Sequence, residues 1–173
     1  MDLTVAEDAD LPEAVALINA SYRGESSRQG WANEADYIDG ERTSLEELRS
    51  DLERNPGAKL RLLRDEPAGA LIGCVWLEPH AGGLWYLGLL TVRPDQQARR
   101  LGRAILAAAE QMVEDAGGVA IRMTVVHLRD TLIAWYERRG YRLTGETLPF
   151  PYGDPPRDDL HFVVLEKRLD SER

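Results

Sequence analysis

The sequence predicts a mixed α/β fold, with a mostly antiparallel central sheet of about seven strands and helices on both faces. Three observations carry that prediction. Strand-like and helix-like segments follow one another in the order β-α-α-β-β-β-α-β-α-β-β. The run Leu84–Val92 is almost continuously apolar, as in a central strand covered on both faces. Antiparallel hairpins come first, and a single β-α-β crossover lies in the middle.

The elements follow in order. Residues 3–7 alternate as a short first strand. Asp10 is placed to cap a helix whose apolar positions Leu11, Val15, Ile18 and Tyr22 follow helical spacing, with Pro12 in its first turn. Residues 24–43 form a long irregular connection, the kind that tends to carry function. Ser44-Leu45-Glu46-Glu47 opens a second helix with a capping-box pattern, and Asn55-Pro56-Gly57 ends it. Strands at 59–64 and 70–78 flank a turn at 65–69, and Ala81-Gly82-Gly83 leads into the central strand. A helix begins near Gly102, turns Ile105, Leu106, Ala109 and Met112 inward, and stops at Gly117-Gly118. Strand 119–126, helix 129–139 closed by Gly140, strand 141–147, a proline-rich excursion over 149–159 and a last strand at 162–167 complete the chain.

Its 173 residues fit one domain, spanning 1–173, and suffice for a real core. With 43% hydrophobic and 29% charged residues the chain is an ordinary globular protein rather than a disordered one. The single cysteine, Cys74, lies in an apolar run; it excludes an internal disulfide, fits a reducing compartment and reads as a small core residue. No apolar stretch approaches the roughly 20 residues that span a bilayer, so the expectation is a cytoplasmic protein with no membrane partner. A net charge of −9 argues against a nucleic-acid partner and suits a cationic acceptor better.

The informative segment runs from Leu89 to Ala104. A buried strand ends at Pro94, the chain turns through small and cationic residues, and a helix starts at Gly102. Free backbone N–H groups at a helix start attract anions, and Arg99, Arg100 and Arg103 add positive charge in an otherwise acidic chain. Gly102 lets a bulky phosphate approach the backbone. These residues alone indicate a diphosphate at a helix N-terminus. They match neither common nucleotide loop, Gly-x-x-x-x-Gly-Lys-Ser/Thr or Gly-x-Gly-x-x-Gly.

The pattern Val92-x-Pro94-x-x-Gln97-x-x-x-x-Gly102-x-Ala104 resembles the acetyl-CoA pyrophosphate motif of the GNAT N-acetyltransferase superfamily. Ala134-Trp135-Tyr136-Glu137-Arg138-Arg139-Gly140-Tyr141 is similar to its second signature, and the order of elements matches over nearly the whole chain. The resemblance implies a GNAT-like fold around a central β-α-β acyl-CoA-binding unit, with acetyl-CoA as co-substrate and no metal. It assigns the donor to Leu90, Thr91, Val92, Gln97, Ala98, Arg99, Arg100, Leu101, Gly102, Arg103, Ala104 and Arg129. Ala98 and Arg100 stand where the family usually has glycine, and Arg129 where it has asparagine. Arg100 is expected to keep a negative φ and lend its charge to the phosphates. Arg129 is expected to replace an amide contact with an ionic one.

The implied reaction is direct attack by an amine on the thioester, whose carbonyl is polarised by backbone near Leu90. Tyr136 matches the residue that protonates the departing thiolate. For the base, Glu78, His80, His127, Glu34 and Asp36 all qualify by residue type. Trp31, Glu34, Asp36 and Tyr37 in the long connection combine aromatic and acidic groups, as a cation pocket needs, and with Glu78 form the predicted acceptor site. The segment Pro149-Phe150-Pro151-Tyr152 is the expected second wall. The acceptor is then a primary amine of a small molecule or peptide, and a homodimer is the default assembly. Two other classes fit the residues: an acyl-CoA-binding regulatory module without turnover, and a plain nucleotide- or phosphate-binding α/β protein.

Overall fold

A computed structural model of the chain describes residues 1–22, 42–95, 100–150 and 158–169. Seven strands form one sheet in the order β1-β2-β3-β4-β5-β7-β6. They are β1 (Thr4–Val5), β2 (Lys59–Arg64), β3 (Leu71–Pro79), β4 (Leu84–Val92), β5 (Ala120–Val126), β6 (Arg142–Pro149) and β7 (His161–Arg168). The helices are α1 (Leu11–Tyr22), α2 (Leu45–Arg54), α3 (Leu101–Asp115) and α4 (Asp130–Glu137). All neighbouring pairs are antiparallel except β4 and β5, which the α3 crossover makes parallel.

Each face of the sheet has its own core. Leu11, Ala14, Leu17 and Ile18 of α1 and Leu48 of α2 pack with Leu60, Leu62, Cys74 and Trp76 on one face. On the other, Ile105, Leu106, Ala109 and Val113 of α3 and Leu132 and Tyr136 of α4 pack with Val75, Leu87, Leu90, Ile121 and Met123. Helical spacing on α3 and strand alternation on β3 and β5 generate this division. A buried polar group ties the second layer together: the Tyr141 hydroxyl donates to Glu110 Oε2 at 2.8 Å, and Lys167 Nζ reaches Glu110 Oε1 at 3.1 Å.

The structure revises several local expectations. Asp10 does not cap α1; a 3-10 turn over Asp8–Asp10 precedes the helix, and Asp10 accepts the Glu7 N–H and pairs with Arg64. Ser44 does cap α2, its hydroxyl accepting from Glu47 N at 3.1 Å. β1 is only two residues long, Thr4–Val5, and pairs with β2 at the sheet edge. Phe150 is not a pocket wall: it is buried with Val126, Leu160 and Phe162. Pro151 and Tyr152 lie outside the described residues.

Candidate active site

The site begins with two interruptions in β4. The first is a parting of strands. β4 and β5 pair only at Leu84–Ala120, Trp85–Ile121 and Tyr86–Arg122. β5 continues along β7 as far as Val126, so it leaves β4 while staying in the sheet. The gap is a narrow cleft lined by Leu87, Gly88, Leu89 and Leu90 on one side and Met123 to Val126 on the other. Arg129, Leu132 and Tyr136 close it from α4, spaced three and four apart so that one helix face looks inward.

The second interruption is a bulge. Cys74 pairs with Thr91 and Trp76 with Gly88, which leaves Leu89 and Leu90 together opposite Val75. Leu89 takes φ +50°, a left-handed conformation that costs a residue with a side chain about 1–2 kcal/mol. Its carbonyl is held from within: the Thr91 hydroxyl donates to it at 2.8 Å and the Cys74 thiol at 3.6 Å. Thr91 is therefore spent on the bulge, and neither it nor Val92 lines the cleft; the Val92 carbonyl accepts from Ser21 at 3.2 Å. Of the three strand positions expected to meet the donor, Leu90 lines the cleft, and Thr91 and Val92 are not among its lining residues. Burial pushes the Cys74 thiol up to about 12, so Cys74 is a core group and no nucleophile.

A cationic cavity of about 450 Å³ adjoins the start of α3. Arg100, Gly102 and Arg103 contribute from α3 and Thr131, Trp135, Arg138 and Arg139 from α4 and the residues after it. Leu101 instead packs on the core, and Ala104 is not among the lining residues. Gln97, Ala98 and Arg99 lie outside the described residues. Arg100 departs from expectation: it takes φ +60°, the left-handed conformation its glycine-like position demands, rather than a negative φ. Its place as the residue that opens α3 overrides the side chain's preference there. Arg139 stacks on the Trp135 ring at 4.1 Å, and its Nε is buried with no hydrogen-bond partner among the described residues. Burial, then the charges of Arg103 and Arg138, hold its guanidinium below the usual range. Four crowded arginines, one with an unsatisfied donor, are a site that an anion stabilises.

Sequence spacing singled out Arg100, Gly102 and Arg103 but missed Trp135, Arg138 and Arg139. The signal was present: positions 131, 135, 138 and 139 share a helical stripe next to the 129, 132, 136 stripe that faces the cleft. α4 thus joins cleft and cavity into one track. Within it, Tyr136 is 5% exposed and packs edge-on against Trp135 and Tyr141. Tyr141 is turned away towards Glu110, and burial and that carboxylate drive its phenol far above the usual range.

A third cavity, about 210 Å³, opens on the opposite face of β4. Trp76, Glu78, Tyr86, Gly88 and Leu89 line it from the sheet, and Arg42, Thr43, Asp51 and Asn55 from α2 and its approach. Glu78 Oε1 accepts from Trp76 Nε1 at 3.0 Å, and Oε2 lies 2.7 Å from His80 Nε2. The Tyr86 ring lies over Gly88, where a Cβ would meet it at 2.9 Å, and its hydroxyl is 3.3 Å from Thr124 Oγ1 across the parted strands. Gly88 and Leu89 therefore border both this cavity and the cleft. Trp31, Glu34, Asp36 and Tyr37 lie outside the described residues, so of the predicted acceptor residues only Glu78 is placed here. His127 is not: it stacks on His161 at 3.9 Å, and its Nδ1 accepts the His161 N–H. Among the described residues no group of three or more His, Cys, Asp or Glu could hold a metal ion, and no helix is long and apolar enough to cross a membrane.

Comparison with known proteins gives one assignment. The family model of the acetyltransferase (GNAT) family matches residues 20–141. The Escherichia coli ribosomal-protein-S18-alanine N-acetyltransferase is 17% identical with a TM-score of 0.71, covering 99% of this chain and 96% of that one. A spermidine N-acetyltransferase chimera based on Vibrio cholerae is 16% identical with a TM-score of 0.72, covering 97% and 95%. A GNAT-family acetyltransferase of Staphylococcus aureus is 12% identical with a TM-score of 0.68, covering 98% and 99%. At these identities the structures share the fold. No curated protein matches the sequence.

Proposed function

The chain belongs to the GNAT acetyltransferase family, and on that premise we propose that it is an N-acetyltransferase, one domain over 1–173, moving an acetyl group from acetyl-CoA to a primary amine of a small molecule or peptide. One observation carries this reading: a cleft and a carboxylate-bearing cavity approach the same two residues, Gly88 and Leu89, from opposite faces of β4. A thioester threaded from one side meets an amine arriving from the other.

The donor's phosphates lie at the start of α3 among Arg100, Arg103, Arg138 and Arg139, where the helix dipole and charge both favour them. The pantetheine arm runs through the cleft past Arg129 and along the unpaired edge of β4. At the bulge the thioester carbonyl meets backbone that Thr91 and Cys74 hold in place, so polarisation there needs no reorganisation. The amine nitrogen adds to the carbonyl carbon, the carbon–sulfur bond breaks, and Tyr136 supplies the proton to the thiolate. A phenol, with an ordinary pKa of about 10, matches a thiolate's basicity well.

The acceptor cavity carries Glu78 and Asp51 with Trp76 and Tyr86, a surface for a cationic amine. The relatives above act on spermidine and on a ribosomal protein's alanine, so both chemistries belong in the test. Calorimetric titration with acetyl-CoA comes first, then acetyl transfer to spermidine, L-lysine and a peptide with a free N-terminal alanine. Saturable binding followed by transfer supports the reading, and failure to bind any acyl-CoA sinks it. Tyr136 at the cleft favours turnover over a binding-only module, and that module would bind acetyl-CoA but leave it intact.

A further inference from the structure

We infer that Glu78 and His80 form the proton relay that readies the acceptor amine. This rests on the transferase reading. It arises from their placement, because Glu78 is the carboxylate that lines the acceptor cavity from the strand next to the bulge. Trp76 and Glu78 lie two apart on β3, on one face, opposite Gly88 and Tyr86. The Trp76 indole N–H fixes one oxygen of Glu78, leaving the other against His80 Nε2 at 2.7 Å. The side chain of Glu78 is 21% exposed and that of His80 45%, so the pair runs from cavity to solvent.

The proton follows that gradient. An ammonium N–H gives its proton to the Glu78 carboxylate, and the nitrogen keeps the electron pair that attacks the thioester carbon. The carboxyl passes the proton to Nε2 of a neutral His80 whose own proton is on Nδ1. The imidazolium then loses the Nδ1 proton to water, which leaves the Nε2–H tautomer, and solvent exchange that removes the Nε2 proton and returns one to Nδ1 restores the starting state. Among the described residues, the charged and titratable groups sharing the cavity are Arg42, Asp51 and Tyr86, and Tyr86 also stacks beside His80 at 6.5 Å. Asp51 is paired with Arg54. Arg122, opposite Tyr86 on β5, is held by Glu166 and Glu146. Glu78 is the carboxylate with an imidazole behind it.

The test measures steady-state transfer from acetyl-CoA to spermidine, L-lysine and the alanine-terminated peptide against pH, for wild type, Glu78→Gln and His80→Gln. Glu78→Gln is expected to lower kcat about 100-fold near neutrality with acetyl-CoA affinity unchanged. The deficit should shrink as pH rises, because more amine then arrives without its proton. His80→Gln, on an exposed residue that the fold does not need, should lose about ten-fold with the same pH trend, since general acid–base steps are worth on the order of 100-fold or more and Glu78 remains. Wild-type pH profiles in both variants overturn the relay, as does a deficit that is equal at every pH, which marks a binding or structural role. A wild type that binds acetyl-CoA but acetylates none of the three amines also overturns it. A wild type that fails to bind acetyl-CoA removes the transferase reading beneath it.

Discussion

The two faces of the sheet differ in what they ask of the chain. The α3/α4 face carries arginines at the mouth of a track and one phenol at its end, with the cleft between them made of backbone and apolar side chains. The α1/α2 face offers Glu78, Asp51 and Arg42 with two aromatic rings around an open cavity, and an imidazole behind Glu78. On the proposed reading the first face takes the long anionic donor and the second the cationic acceptor. β4 serves both because its bulge brings Gly88 and Leu89 to the border of each.

The contrast can be broken from the arginine-lined side with the largest effect. Gly102→Glu places a carboxylate in the cationic cavity at the first turn of α3, and saturable binding of acetyl-CoA should disappear in calorimetry while circular dichroism stays native. Tyr136→Phe should leave binding intact and lower kcat about 100-fold, the size of a lost general acid. If it lowers affinity instead, Tyr136 is a packing residue and the track ends elsewhere.

A smaller effect sharpens the electrostatic part. Arg138→Glu with Arg139→Glu should weaken acetyl-CoA about ten-fold at low salt and flatten the dependence of Kd on ionic strength, because screening acts on those charges. The acceptor KM should not move. A shift in both would mean that the two faces are coupled through α4.

The smallest effect concerns Cys74, under the bulge on the acceptor-side core. Its folded pKa is raised from 9.0 to about 12, so the native state holds the thiol proton where the unfolded chain releases it. The unfolded state then binds fewer protons, and stability falls with rising pH over that window, by at most about 1.4 kcal/mol per unit. Denaturation of wild type between pH 9 and 12 should show the decline, and Cys74→Ala should flatten it although it starts less stable. Alkylation of native protein at pH 8 should be negligible.

Reading the chain alone singled out several residues around the α3/α4 cavity and cleft and, among the described residues, only Glu78 around the cavity on the other face, for a reason visible in particular residues. Arg100, Gly102, Arg103 and Tyr136 sit within short local patterns, a strand-to-helix turn and an amphipathic helix, whose physics is complete over a few neighbours. Glu78 was one of several carboxylates until β3 and β4 set it beside Trp76, Tyr86 and the bulge. Arg138 and Arg139 join Arg100 and Arg103 only because the residues after α4 and the start of α3 line one cavity.

By itself the sequence determined the order of seven strands and four helices, the crossover between β4 and β5 and the arginine-rich start of α3, since periodicity, capping and glycine placement act locally. Only the tertiary structure decided where β4 and β5 part, that Leu89 and Arg100 turn left-handed, and that two cavities share Gly88 and Leu89. Those features depend on register between strands and on packing across the sheet, where groups far apart in the chain impose conformations that neither would choose alone.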